Sequence, residues 1–181
     1  MEIILVRHAE SVIPTPDGPD EFHRPLTSHG HAQAARLVPE LAAFQPSTIV
    51  SSPYLRAVQT VQPLATALGL VVDTDHELRE WDSGLEPTPD YARHYADSWA
   101  DPSFARPGGE SLDQLTQRAL SILRAFTGTV VIGSHGTFIA RALAGFAVPV
   151  DWPFSSAMPM PAIYRITDTG ITGPGLSPSR R

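Results

Sequence analysis

The chain has 181 residues, of which 42% are hydrophobic and 18% charged, with a formal net charge of −6; this is material for one packed domain, and the acidic balance disfavours nucleic acid as a partner, since backbone phosphates are met by basic surfaces. There is no cysteine, which excludes disulfides, zinc–thiolate sites, iron–sulfur clusters and thiol nucleophiles. All 13 basic side chains are arginine, so a Walker A loop and a Schiff-base lysine are excluded, and any phosphate clamp must be built from Arg, His or backbone N–H groups.

Ile3 to Val6 is a β-branched apolar run and predicts a strand buried on both faces, as in parallel sheets. Pro14–Pro25 predicts an irregular loop. Ser28 to Phe44 predicts a helix capped at Thr27 or Ser28 and interrupted near Pro39. Thr48 to Ser51 is a second strand. A helix is expected to open at Ser52-Pro53 and close at Gly69, with Pro63 inside it. Leu70 to Val72 is a third strand, and Pro87–Pro107 a second irregular loop. Ser111 to Phe126 reads as the cleanest helix, with a Ser111/Gln114 capping box and a stripe of Leu112, Leu115, Ala119, Ile122 and Phe126. Thr129 to Gly133 predicts a strand, Gly136 to Phe146 a helix, Pro149–Pro161 a third loop, and Ala162 to Ile166 a last strand. Residues 170–181 are read as a flexible tail. Strands alternating with helices predict an α/β fold with a mostly parallel sheet and helices on both faces.

No apolar run approaches the ~20 residues of a membrane span. Met1–Arg7 is too short and wrongly charged for a secretory signal. A cytoplasmic protein with no membrane partner is expected. The oligomeric state is not specified by the sequence.

Ligands of open α/β sheets bind beyond the carboxyl ends of the strands. Arg7-His8 follows the first strand, Ser51-Ser52 the second, with Arg56 close behind, and Ser134-His135-Gly136 the fourth. Two histidines and two arginines therefore converge on one crevice, a composition suited to a phosphoryl group. A nucleophile would have to be Ser, His or a carboxylate. Gly133-Ser134-His135-Gly136 lacks the glycine spacing of a nucleophile elbow. Asp73-Thr74-Asp75 after a strand has the form of an aspartate-phosphatase motif, but the chain lacks the lysine that chemistry needs, and these residues read as a turn. Histidine is left, attacking phosphorus through one ring nitrogen while the other is held. Glu77, Glu80 and Asp82 around Trp81 are candidate proton donors. His29-Gly30-His31 has metal-ligand spacing but no neighbouring carboxylate, and reads as exposed.

Leu5-Val6-Arg7-His8-Ala9-Glu10-Ser11 resembles the Arg-His-Gly motif of the histidine phosphatase superfamily, the phosphoglycerate mutase-like proteins. Further similarities follow in order: Arg24-Pro25-Leu26-Thr27, Ser51 to Ala57 with Gln59-Thr60, Leu78-Arg79-Glu80, Pro107 to Ser111 with Arg118, and Ser134-His135-Gly136. The resemblance implies a three-layer α/β/α sandwich over residues 1–169 with a small cap inserted at 82–106. It implies His8 as the phosphorylated nucleophile, Arg7, Arg56 and His135 as phosphoryl holders, Glu80 as general acid and base, and neither metal nor cofactor. Ala9 stands where the family usually has Gly, and Pro14 where many members have a phosphate-contacting Asn; Ser11 and Thr137 are candidates to replace it. Leu85-Glu86-Pro87 stands where Trp-Glu-Gly often follows the acid, which keeps Asp82 as the alternative donor. The cap holds Arg93 and Arg106 against five carboxylates, together with Tyr91, Tyr95, Trp99 and Phe104. A metal-independent phosphomonoesterase acting on a small phosphorylated metabolite is expected. The alternatives are a phosphohistidine protein phosphatase, a phosphoglycerate mutase-type enzyme, and a non-catalytic phospho-ligand binder.

Overall fold

A computed structural model of the chain describes residues 1–176. Six strands form one mixed sheet in the order β3-β2-β4-β1-β5-β6, where β1 is Glu2–Arg7, β2 Thr48–Ser51, β3 Val72–Thr74, β4 Thr129–Ser134, β5 Ala162–Thr167 and β6 Gly170–Thr172. β3, β2, β4 and β1 run parallel, while β5 is antiparallel to β1 and β6 to β5. Among the described residues the α-helices are α1 (Ser28–Ala43), α2 (Leu55–Leu68), α3 (Tyr91–Ala100), α4 (Leu112–Ala125), α5 (Gly136–Gly145) and α6 (Trp152–Ala157), with a single 3-10 turn at His76–Leu78.

The pleat of β1 divides the core in two. Ile3 and Leu5 face Leu112, Leu115 and Leu123 of α4 and Phe138 of α5. Ile4 and Val6 face Leu41 of α1 and Val61 and Leu64 of α2. All four β1 side chains are fully buried, as the unbroken apolar run predicts, each burial stabilising by about 1.5–3 kcal/mol. The molecule is thus an α/β fold in three layers with the sheet in the middle.

Ser111 forms the expected capping box with Gln114, and Thr27 caps α1 by accepting from Gly30 N–H. Pro39 does not interrupt α1; it lies on the exposed face, where water can satisfy the freed carbonyl. α2 begins at Leu55 rather than at Ser52-Pro53, because Ser52 is drawn into the site described below. β3 falls two residues later than expected, since the Leu70 N–H closes the end of α2 onto Ala65 O at 2.9 Å. Two of the expected loops contain helices. Pro87, Pro89, Pro102 and Pro107 bracket α3 without entering it. In α6, Pro153 occupies the first turn, where no N–H is required, and Asp151 caps Phe154 N–H at 2.9 Å. The expected tail is corrected over Gly170–Thr172, which pairs with β5 as β6; Ile171 packs on the core and Tyr164 Oη donates to Pro174 O at 3.1 Å. Residues 177–181 of that tail lie outside the described residues. Among the described residues, no helix is long and apolar enough to cross a membrane.

Candidate active site

Because β4 is inserted between β1 and β2, the residues after these three strands meet at one end of the sheet. Arg7 is in register with Ser134 and Ser51 with Gly133. The His8 N–H donates to Ser134 O at 3.0 Å and the Ser52 N–H to Gly133 O at 2.8 Å. The His8 and His135 rings consequently meet edge to face, 5.4 Å between centroids.

His8 is oriented by a backbone bond. Its Nδ1 lies 2.7 Å from Ala9 O, and since a carbonyl only accepts, the ring proton sits on Nδ1 and Nε2 carries the lone pair. Arg56 Nε donates to that Nε2 at 3.3 Å. Burial, followed by the charge of Arg56, pushes the His8 pKa down to about 3. His8 is therefore neutral across the usual working range.

His135 is fully buried, and burial followed by the charge of Arg56 holds its pKa well below the ordinary value. Its Nε2 lies 2.8 Å from Ser52 Oγ, which itself accepts the Tyr54 N–H at 3.2 Å. The Ser52 hydroxyl proton is thereby free to point at Nε2, an assignment that leaves the imidazole proton on Nδ1. Nδ1 is buried and has no partner. Arg7 shows the same vacancy. Its Nη1 donates to Met158 O and Pro159 O, while its Nε is buried and unpartnered. Gly136 makes room for it, since a Cβ there would lie 3.1 Å from the guanidinium. Two buried donors without acceptors beside a neutral imidazole are a cost that an anionic ligand would remove.

Arg56 is 1% exposed. Its Nη1 donates to Glu21 O and its Nη2 to Glu21 Oε2, both at 2.8 Å. Arg24 shares the Glu21 carboxylate, at 3.2 Å and 3.1 Å. Burial lowers the pKa of both Arg7 and Arg56 from the ordinary value, and both stay charged.

Glu80 lies at the N-terminus of α5. Its Oε1 accepts from Trp81 N–H at 2.8 Å and Phe138 N–H at 3.0 Å, and its Oε2 from Thr137 N–H at 3.3 Å. That position brings it next to His135, the residue preceding α5. Its loop is tied from behind by Arg118, which donates to Glu77 O, Arg79 O and Glu80 O and pairs with Glu110. Asp82 is exposed; its carboxylate accepts from Gly84 N–H at 3.2 Å, while its backbone pairs with Glu110. Helix α3 docks on this loop through Tyr95, whose ring meets Trp81 at 5.0 Å; the same ring meets Trp152 of α6 at 5.9 Å.

The structure thus brings His8, Arg7, Arg56, His135 and Glu80 to one crevice. Asp75 caps Glu77 N–H at 2.8 Å, consistent with the turn expected there. His29 and His31 are exposed, and among the described residues no group of three or more His, Cys, Asp or Glu is placed to hold a metal. Pro14 is exposed; Ser11 Oγ is taken by Arg24 at 2.8 Å and Thr137 N–H by Glu80. Ser52, expected at the second strand end, is in place; three contributors were given no role in the site by the sequence: Glu21, Arg24 and Tyr54. Two of these had signals as motif neighbours, Arg24 before Pro-Leu-Thr and Tyr54 beside Arg56; Glu21 had none. A separate groove of about 510 Å³ between α1 and the β5–β6 edge, lined by Leu37, Phe44, Pro161 and Arg165 among others, shares no residue with this site.

A neutral histidine between two arginines and a second histidine, at the carboxyl edge of a parallel sheet, defines a phosphoryl-handling class of protein. The chain belongs to the histidine phosphatase superfamily (branch 1), whose family model matches residues 3–167. A glucosyl-3-phosphoglycerate phosphatase of Mycolicibacterium vanbaalenii is 31% identical over 154 residues, covering 74% of this chain and 68% of the relative. An 8-oxo-(d)GTP phosphatase of Mycolicibacterium smegmatis is 33% identical over 78 residues, 43% of this chain; the match spans only 24% of that longer protein. The solved mycobacterial glucosyl-3-phosphoglycerate phosphatase in complex with VO3 superposes with a TM-score of 0.72 at 26% identity, covering 92% of this chain and 90% of its own. These relatives are phosphatases and support a hydrolase.

Proposed function

We propose that the protein is a metal-independent phosphomonoesterase that acts on a small phosphorylated metabolite through a phosphohistidine at His8. The observation that carries this reading is the pair of orphaned buried donors, Arg7 Nε and His135 Nδ1, beside the lone pair of His8 Nε2. The phosphoryl oxygens take those donors together with the Arg56 guanidinium. His8 Nε2 attacks phosphorus in line and the ester P–O bond breaks. Glu80, in its acid form, gives its proton to the departing oxygen, with Oε2 as the more loosely held of its two oxygens. A water then attacks phosphorus and loses a proton to the Glu80 carboxylate, and the P–N bond breaks, releasing phosphate and neutral His8. Most of the barrier is lowered by position and charge, which this chemistry demands more than covalent skill.

Turnover of p-nitrophenyl phosphate with and without EDTA, in wild type and His8→Ala, tests the proposal. Wild type should turn over undiminished by the chelator, His8→Ala should be inactive, and rapidly quenched wild type should carry an acid-labile, alkali-stable phosphate. Near-wild-type activity of His8→Ala, or activity abolished by EDTA and restored by magnesium, would overturn it.

A further inference from the structure

We propose that Glu21 is a specificity-determining residue whose carboxylate, set at the mouth of the crevice, selects phosphate monoesters with a leaving group free of a second negative charge. This rests on the phosphomonoesterase reading and narrows it. The Glu21 side chain is half exposed, whereas that of Arg56, which it grips, is 2% exposed; the carboxylate therefore stands between the buried guanidinium and solvent. It engages both arginines on that wall. Arg56 gives one N–H of Nη1 and one of Nη2 to Glu21 and its Nε–H to His8, which leaves one N–H on each Nη for the phosphoryl group. Arg24 spends Nε and Nη2 on Glu21 and Nη1 on Ser11 Oγ and Val12 O. An anionic group on the leaving side would meet the Glu21 carboxylate where a free arginine fork would otherwise be. On the cap side, Arg106 is committed to Ser83 O, Ser98 Oγ and His94 O, and Arg79 to His76 O and Glu77.

The residue beside Glu21 supplies the complementary surface. Phe22 is an exposed large apolar side chain. Its ring meets Tyr54 at 4.7 Å and stacks on His76 at 6.1 Å, and Tyr54 meets His135 edge-on at 5.1 Å. Leu55 N–H donates to Phe22 O at 2.8 Å, fixing the turn that carries both residues. The mouth thus pairs a fixed negative charge with a cluster of aromatic rings, which suits a neutral leaving group with an apolar side. Burial alone would raise the Glu21 carboxyl, but the Arg24 hydrogen bonds and the Arg56 charge outweigh it and hold it below its ordinary value, so the charge persists at neutral pH.

The test uses two esters of one shape, 3-carbamoylphenyl phosphate and 3-carboxyphenyl phosphate. Wild type should prefer the carbamoyl ester by about tenfold in kcat/KM, the scale of one unscreened charge pair at a partly exposed site. Glu21→Gln keeps an oxygen for Arg56 and removes the charge; whatever common factor it imposes on both esters, the preference should shrink to about twofold or less. In wild type alone, raising the salt from about 0.02 to 0.5 M should narrow the preference. A preference unchanged in Glu21→Gln, one indifferent to salt, or a wild-type preference for the carboxylate overturns the inference while leaving the phosphatase reading standing. Failure of wild type to hydrolyse either ester overturns both.

Discussion

Arg56 donates its Nε–H to His8 Nε2 across 3.3 Å while Ala9 O holds His8 Nδ1 at 2.7 Å. One contact fixes the tautomer, and the other keeps a cation beside the lone pair. The cation adds to burial in making protonation of His8 costly and holds the ring against the guanidinium. Charge and geometry are thus set by the same pair.

The first consequence concerns stability against pH. His8 is held at about 3 in the folded chain, against about 6.5 unfolded. Above pH 6.5 both states are neutral and its contribution is complete. As pH falls from 6.5 toward 3, only the unfolded chain takes up the proton, so stability drops by about 1.4 kcal/mol per pH unit for each such histidine. His135 acts in the same direction. Denaturant midpoints of wild type and His8→Gln between about pH 7.5 and 4 should converge as the pH falls. Parallel curves would show that His8 is not buried neutral.

Arg56→Ala should lower kcat/KM on the order of 10²-fold or more, the usual cost of one transition-state charge donor. Arg56→Lys should recover little. An ammonium on a flexible stem cannot reproduce the three bonds that the guanidinium makes to His8, Glu21 O and Glu21 Oε2. Lysine restoring most of the activity would mean that only net charge matters.

Glu80→Gln should slow alkyl phosphates far more than p-nitrophenyl phosphate. An alkoxide needs the proton to leave, whereas p-nitrophenolate departs nearly unaided. Asp82→Asn should alter both alike and modestly, since the Asp82 carboxylate is exposed and its one hydrogen bond is to Gly84 N–H in its own turn. The reverse pattern would move the acid to Asp82.

Gly109→Ala should disturb the acid without touching it. A Cβ there would lie 2.7 Å from Gly84 N and 2.8 Å from Asp82 O, both backbone atoms that cannot swing aside. The loop must shift, at a cost of roughly 1–3 kcal/mol. Glu80 is carried on that loop, so kcat for an alkyl phosphate should fall more than the thermal stability alone accounts for. A stable variant with full activity would show the loop to be compliant.

The centre of the sheet and the histidine crevice were legible because β1, β2 and β4 are buried apolar runs and His8, Ser52 and His135 follow them. His8 and His135 needed only the rule that ligands gather at strand ends. What the sequence hid were features set by partners remote in the chain. Proline counts obscured α3 and α6, because proline marks their flanks and first turn rather than their interiors. The strand at Gly170–Thr172 was lost to composition, since Ile171 is a single apolar residue among Gly, Thr and Pro. Glu21 was invisible as a site residue because one of three acids in a proline-rich loop has no signature until its arginines are seen around it.

The sheet order also sets a timetable for synthesis. Both neighbours of β1 are β4 and β5, which begin at Thr129 and Ala162. β1, the first of these six strands to be made, must therefore wait until Thr129 and beyond before it finds a pairing partner. During that interval Ile3 to Val6 is an unpaired apolar ribbon, open to capture by chaperones or by its like on a neighbouring polysome. The nascent chain gains something from the delay: with His135 still untranslated, no half-made chain brings both histidines of the crevice together.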